Sequence, residues 1–269
     1  MSARLAFALS WIAAIGAALF LLAPLIVIAA ASFSPTPVFD LPFTGASLRW
    51  YERIPRLDGF WPALWLSLEI AALATFSALI IGTLAAIAIA RGRAPGGAFF
   101  ATALVSPLMT PGLVLGIALL QYFRAIGFDA TWSELFVAHV VVCLPYVART
   151  MIAGLARFDF TLVEAARTLG CTYPGAIIKA MIPALAPSFL VAGLFSFLAS
   201  LDNYPVSIFL SDARTKTLPI KMLQYIDESP DPTLAALSTL ILLATLVLLV
   251  VCDRSVGLHR MAGTGDQAG

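Results

Sequence analysis

Residues 159–183 read DFTLVEAARTLGCTYPGAIIKAMIP, a polar stretch set between strongly apolar segments. Phe158, Leu162, Ala165, Ala166 and Leu169 recur at helical spacing and predict one apolar face. Thr161, Glu164, Arg167 and Thr168 fall on the other side. Asp159 and Thr161 are residue types that cap helix starts, and Gly170 suits the left-handed residue that ends one. Thr172 and Pro174 then open a second helix. Its apolar stripe is Tyr173, Ile177, Ala180, Met181 and Ala184. The stretch therefore predicts two short helices joined at a glycine turn, just before another apolar segment.

The surrounding composition states what those segments are. The chain has 269 residues, 61% of them hydrophobic and 12% charged. Soluble domains carry roughly 45–50% apolar and about 25% charged residues, so this is a polytopic membrane chain. A net charge of +1 gives no reason to expect a nucleic-acid partner. Cys143, Cys171 and Cys252 lack metal or disulfide spacing, and His139 and His259 are far apart.

A spanning helix needs about 20 apolar residues. Six stretches meet or approach that: Leu5–Ala31, Pro62–Ala90, Phe99–Gln121, Leu135–Met151, Ala184–Leu201 and Leu234–Cys252. Ala29–Ala31 imitates a signal-peptidase site, but a secretory core is only about 7–15 residues, so the first span is expected to stay. Pro107, Pro111, Gly112 and Gly116 interrupt the third span, where the prolines predict a kink. Residues 32–61 and 205–233 predict external loops, the first with Trp50 and Tyr51 as interfacial aromatics. Asp253–Gly269 predicts a small mobile tail. With the N-terminus inside, nine basic residues fall inside and seven outside. The outer ones mostly sit among acids in long loops, whereas the short Arg91–Gly97 turn has none. The positive-inside rule therefore predicts N-in and C-in, with residues 153–183 in the cytoplasm.

Glu164-Ala165-Ala166, Gly170 and Ile182-Pro183 resemble the EAA loop of ABC-importer permeases. The family pattern is EAA, three residues, Gly, nine residues, Ile, one residue, Leu-Pro. Ala180 and Ile182 replace its Ile and Leu, and both stay apolar. Ser106–Pro111 with Gly116 is similar to the superfamily's third span, and Ser47–Tyr51 to its "S-x-R-W-Y" stretch. Ser200–Asn203 and Thr217–Pro219 resemble the spermidine/putrescine branch, itself similar to permeases for iron, phosphonates and other small solutes.

The resemblance implies an all-α membrane protein with six transmembrane helices in the type I ABC importer permease (MetI-like) fold. It implies one permease domain over 1–269 with a coupling loop at 153–183, in a bacterial inner membrane. In that family the loop fits a groove on a cytoplasmic ATPase, which assigns Glu164, Ala165, Ala166, Gly170, Cys171 and Pro183 to coupling. The implied partners are two ATP-binding subunits, a second and different permease, a solute-binding protein and membrane lipid. No cofactor, metal or catalytic residue is implied. Consistently, the chain has no GxxxxGK[ST] loop and no HExxH, GxSxG or CxxC motif.

Asp202, Asn203 and Tyr204 form a polar cluster at a span end and are the candidate substrate-pathway residues. Intramembrane charge is expensive and usually faces a bundle interior or water. Asp202 either lines a path for a cationic solute or lies at the headgroup level, and Glu69 reads better as the latter. His139 reads as a histidine hydrogen-bonded between helices rather than a proton relay. A secondary transporter would show inverted repeats and mid-span coupling acids, and an intramembrane protease would show paired catalytic residues; neither pattern stands out.

The topology predicts a labelling pattern. In a cysteine-free background, single cysteines at Thr36 and Asp231 react with an impermeant thiol reagent added outside intact cells, and one at Ala94 does not. External labelling at Ala94 reverses the orientation.

Overall fold

Proline and its preceding residue resist helix, so they decide where apolar segments of this chain stop being straight. The structure is a computed structural model that describes residues 3–37, 45–92, 96–229 and 231–256. Among these it is built from helices and turns, with no strand. The helices are α1 Ala3–Ala31, α2 Arg49–Arg53, α3 Phe60–Ala90, α4 Gly97–Val105, α5 Gly112–Ala125, α6 Thr131–Leu155 and α7 Thr161–Thr168. They continue with α8 Tyr173–Ala176, α9 Ile182–Ala184, α10 Ala186–Leu201, α11 Tyr204–Leu210, α12 Leu218–Glu228 and α13 Thr233–Val256.

Among the described residues, four stretches are long and apolar enough to cross a membrane: Leu9–Ala31, Phe60–Ala90, Thr131–Leu155 and Thr233–Arg254. The expected third and fifth spans are broken pairs. Gly97–Met109 meets Gly112–Ala125 at 109°, and Tyr173–Ala184 meets Ala186–Leu201 at 76°. The third is more than kinked. After a 3₁₀ turn at Ser106–Met109, Thr110 and Pro111 are extended, with ψ of 130° at both. Thr110 precedes a proline, whose ring excludes it from the helical region. In the fifth, Pro187 forces the break at Leu185, which has φ −95° and ψ 6°.

The chain forms two compact units. One comprises residues 1–60 and 222–247. In it the Trp50 indole N–H donates to the Ser34 carbonyl at 2.7 Å, and the Ser32 and Tyr51 hydroxyls lie 2.6 Å apart. Trp50 is therefore buried and anchored, not merely interfacial as expected. Arg53 pairs with Asp231 at 2.7 Å, and the Tyr225 hydroxyl donates to the same carboxylate.

The other comprises residues 61–221 and 248–269. Among its described residues are two apolar clusters. Ala74, Ala78, Ile87, Cys143, Val147, Met151 and Leu155 of α3 and α6 join Val163, Ala176, Met181 and Ala192 in the first. Ile70, Phe123, Leu135, Ala138, Val206 and Leu210 form the second. The last two belong to α11, in a region expected to be loop. Asn203 caps that helix, its side-chain oxygen accepting the Val206 N–H at 3.1 Å, and Pro205 sits in its first turn. α12 also replaces part of that expected loop; the Leu218 N–H donates to Ser67 Oγ at 2.7 Å. α13 continues to Val256, so the first four residues of the expected tail, Asp253–Val256, are helical. Residues 257–269, Arg93 and Ala94 lie outside the described residues.

α5 and α11 approach through glycine. A Cβ on Gly116 would sit 2.8 Å from the Phe209 ring and 3.0 Å from the Pro205 carbonyl oxygen, and backbone cannot move aside cheaply. Gly116→Ala is expected to destabilise the purified protein by about 1–3 kcal/mol, an overpacking cost. Gly193→Ala, whose Cβ would meet only Leu79 at 3.6 Å, is expected to be neutral or stabilising. Thermal unfolding midpoints in detergent compare the two; equal midpoints would show that the contact yields.

Candidate functional site

Residues 159–183 fold with two short helices, α7 and α8, around Gly170. The Thr161 N–H is accepted by Asp159 Oδ1 at 2.9 Å. Bonds from the Thr161 hydroxyl and N–H hold that carboxyl below its ordinary pKa. At the other end of α7, the Cys171 N–H reaches the Ala166 carbonyl at 3.1 Å and the Gly170 N–H reaches Arg167 at 3.0 Å. That pair of bonds is the Schellman arrangement, and Gly170 has the required positive φ, +92°. Thr172 then caps α8, its hydroxyl oxygen accepting from the Gly175 N–H at 3.3 Å. A π-helical turn at Ile177–Met181 precedes Pro183, so the extra residue is absorbed where a proline withholds its N–H.

Which face packs differs from the expectation. Val163 is 1% exposed and belongs to the first apolar cluster, with Ala176 and Met181. Leu162 and Ala165 are exposed, and Leu169 is 86% exposed. The helix is rotated relative to the predicted stripe, because Phe158 and Phe160, edge-to-face at 5.3 Å, fill the inner side just before it. The outcome is an apolar outer surface around Gly170, continued by exposed Ile178 and Ile182. Surface of that kind on a short polar-flanked loop marks a contact site. Ala166 and Cys171 are half-buried against the inner cluster, and Pro183 is exposed.

Glu164 sits at the edge of this surface. It pairs with Arg167 at 3.0 Å and with Arg91 at 3.6 Å. The Arg91 guanidinium also lies over the Tyr173 ring at 4.7 Å and the Phe160 ring at 5.6 Å. Thus the residue after α3 holds both short helices through one cation. Sequence reasoning counted Arg91 only as a positive-inside charge; nothing in its spacing reveals the aromatic pair 69 and 82 positions later.

The second candidate region lies where α10 ends. Asp202 and Asn203 line an open cavity of about 400 Å³ with Val142, Tyr146, Phe195 and Leu198. A cavity lined by a carboxylate and by aromatic side chains suits an organic ammonium group, by charge and by ring quadrupole. Asn203 is occupied as a cap, and Tyr204 is half-buried in the first turn of α11. The acid stands out in the sequence, whereas Tyr146 and Phe195 are indistinguishable there from ordinary span aromatics. Glu69 is exposed on α3, apart from this cavity. Among the described residues, no group of three His, Cys, Asp or Glu is placed to hold a metal.

Residues 78–259 match the family described as binding-protein-dependent transport system inner membrane component. The chain is 33% identical over 232 residues to the spermidine/putrescine transport system permease protein PotC of Haemophilus influenzae, covering 86% of this chain and 90% of that protein. It is 33% identical over 230 residues to the putrescine transport system permease protein PotI of Escherichia coli, covering 83% and 82%. In fold it is similar to a chain in the crystal structure of a bacterial ABC transporter involved in the import of the acidic polysaccharide alginate. There the TM-score is 0.75, with 17% identity, over 94% of this chain and 98% of that one. The chain belongs to the binding-protein-dependent transport system inner membrane component family, as a multi-pass, non-catalytic permease subunit.

Proposed function

We propose that this chain is the permease subunit that passes a polyamine from a binding protein to the cytoplasm in an ATP-driven importer. The observation that carries the coupling half is the apolar outer surface of Leu162, Ala165 and Leu169 beside Gly170, turned away from the helices that hold it. A groove on a cytoplasmic ATPase is the partner such a surface fits. The expectation of N-in and C-in from the basic residues supports a loop on that side of the membrane. Two ATPase copies, a second and different permease, a solute-binding protein and surrounding lipid complete the assembly. ATP is hydrolysed in the separate ATPase.

The substrate half rests on the names of the relatives and on the Asp202 cavity. Spermidine and putrescine are flexible chains with protonated amines. Asp202 supplies the counter-charge, and Tyr146 and Phe195 line the same cavity as aromatic partners for the ammonium group. Coupling follows the backbone. The turn at Gly170 runs through α8, the π turn and α9 directly into α10, which ends at Asp202. Closure of the ATPases moves α7 and α8; the buried Val163, Ala176 and Met181 carry the motion into the bundle as a rigid-body tilt. The cavity then opens to alternate sides. A small organic ion of another class, such as a phosphonate, is the rival cargo, and it would not need a carboxylate there.

Native Cys171 reports docking. In inside-out vesicles carrying the permease alone, a maleimide labels Cys171 before buried Cys143, with Cys171→Ser as the control. Added ATPase slows that labelling. Gly170→Val forces a β-branched residue into a left-handed conformation, costing about 1–2 kcal/mol. It removes the protection and lowers uptake without loss from the membrane. Unslowed labelling in the presence of bound ATPase places the docking surface elsewhere.

Asp202→Asn keeps the shape of the cavity and removes its charge. Uptake of labelled spermidine is expected to fall by about tenfold or more, the loss of a charge-assisted contact, at unchanged membrane level. Undiminished uptake would remove Asp202 from the pathway.

A further inference from the structure

His139 is 2% exposed in the middle of α6, with Ser200 of α10 and Ser207 of α11 buried beside it. Its Nδ1 lies 2.7 Å from Ser200 Oγ and its Nε2 lies 2.9 Å from Ser207 Oγ. The directions of these bonds follow from proton counting. Ser207 Oγ–H donates to the Asn203 carbonyl oxygen at 2.5 Å. A hydroxyl has one proton to give, so Ser207 must accept from Nε2–H. A neutral imidazole with Nε2–H has a bare Nδ1, which accepts the Ser200 hydroxyl proton. The result is a one-way chain of donors, Ser200 to His139 to Ser207 to the Asn203 carbonyl, in which each polar atom of the ring is used.

The two serines bracket the segment 200–207, which holds Asp202 and Asn203 and crosses the break between α10 and α11. α11 is further pressed on α5 at Gly112 and Gly116. The cavity acid thus stands on a short non-helical link whose two ends are both tied to one imidazole. We propose that His139 is a positioning residue for solute transfer: by bridging Ser200 and Ser207 it fixes where the Asp202 carboxylate stands in the cavity. This rests on the reading of Asp202 as the residue that meets the cationic solute. His139 does not line the cavity and touches no solute itself.

The test is uptake of labelled spermidine by cells of origin whose native copy is replaced by variants, scored per amount of chain in the membrane. His139→Leu removes both bonds at similar volume and is expected to lose about tenfold, the scale of a broken buried hydrogen bond. His139→Gln retains an acceptor and a donor and is expected to return to within about threefold of native. In the double variant with Asp202→Asn, His139→Leu adds no further loss, because its effect runs through that carboxylate. A merely structural histidine predicts the opposite: no rescue by Gln, and losses that multiply. Either result overturns the inference. If His139→Leu fails to reach the membrane, Ser207→Ala replaces it, with the same expected loss and the same non-additivity; a multiplying loss again overturns the inference. Asp202→Asn separates the two readings. An impaired Asp202→Asn beside an unimpaired His139→Leu sinks the positioning role alone, whereas unimpaired Asp202→Asn sinks the pathway reading and this one with it.

Discussion

In hydrocarbon a backbone N–H or C=O has no water to turn to, so every helix break in an apolar segment must be paid for locally. This constraint organises the molecule. The chain breaks its apolar segments at Thr110–Pro111, at Leu185 and at Asp202–Asn203. At each, the neighbouring N–H groups stay paired. The Thr110 N–H reaches back to Pro107, the Leu185 N–H keeps its ordinary helical bond to Met181, and the Val206 N–H turns to the side chain of Asn203. The breaks are therefore stable corners. The Asp202–Asn203 corner carries the cavity acid between Ser200 and Ser207, and the Leu185 corner joins the short helices around Gly170 to α10.

The same logic explains what packs where. Small residues, Ala74, Ala78 and Ala86 on α3 and Ala148 on α6, occupy buried positions, because lipid competes for large side chains while close helix approach needs small ones. The Gly116 contact with α11 extends this to backbone against backbone. Large apolar side chains are left outside on α1 and α5, as befits surfaces that meet lipid or another helix. Some polar side chains that go inside have partners. Glu134, wholly buried, lies 3.3 Å from Arg124, and Ser196 and Cys143 exchange contacts with each other's carbonyls.

Much of this was legible in the residues, and the failures have a common cause. Apolar length located the helices, and Asp159, Gly170, Thr172 and Pro174 fixed the local form of the docking stretch, since caps and left-handed residues act over a few positions. The orientation of α7 was not legible. The choice of Val163 over Leu162 and Leu169 for the interior is a tertiary one, made where Phe158 and Phe160 pack into the same cluster. α11 escaped because seven residues beginning Tyr-Pro carry no full period, and its stability comes from α5 and α6. Of the candidate site, Asp202 was visible as a misplaced charge; Tyr146, Phe195 and the bridging role of His139 depend on contacts made across three helices.

The bare face at Leu169 ties the fate of the chain to how much of its partner is present. A partner that covers Leu162 and Leu169 binds only the folded turn, so by linkage it stabilises the subunit in proportion to the logarithm of its own free concentration. A chain made in excess keeps that greasy knuckle in water, where chaperones and proteases meet it first. Subunit proportions in the membrane can then be enforced after synthesis, by survival, without any matching of expression.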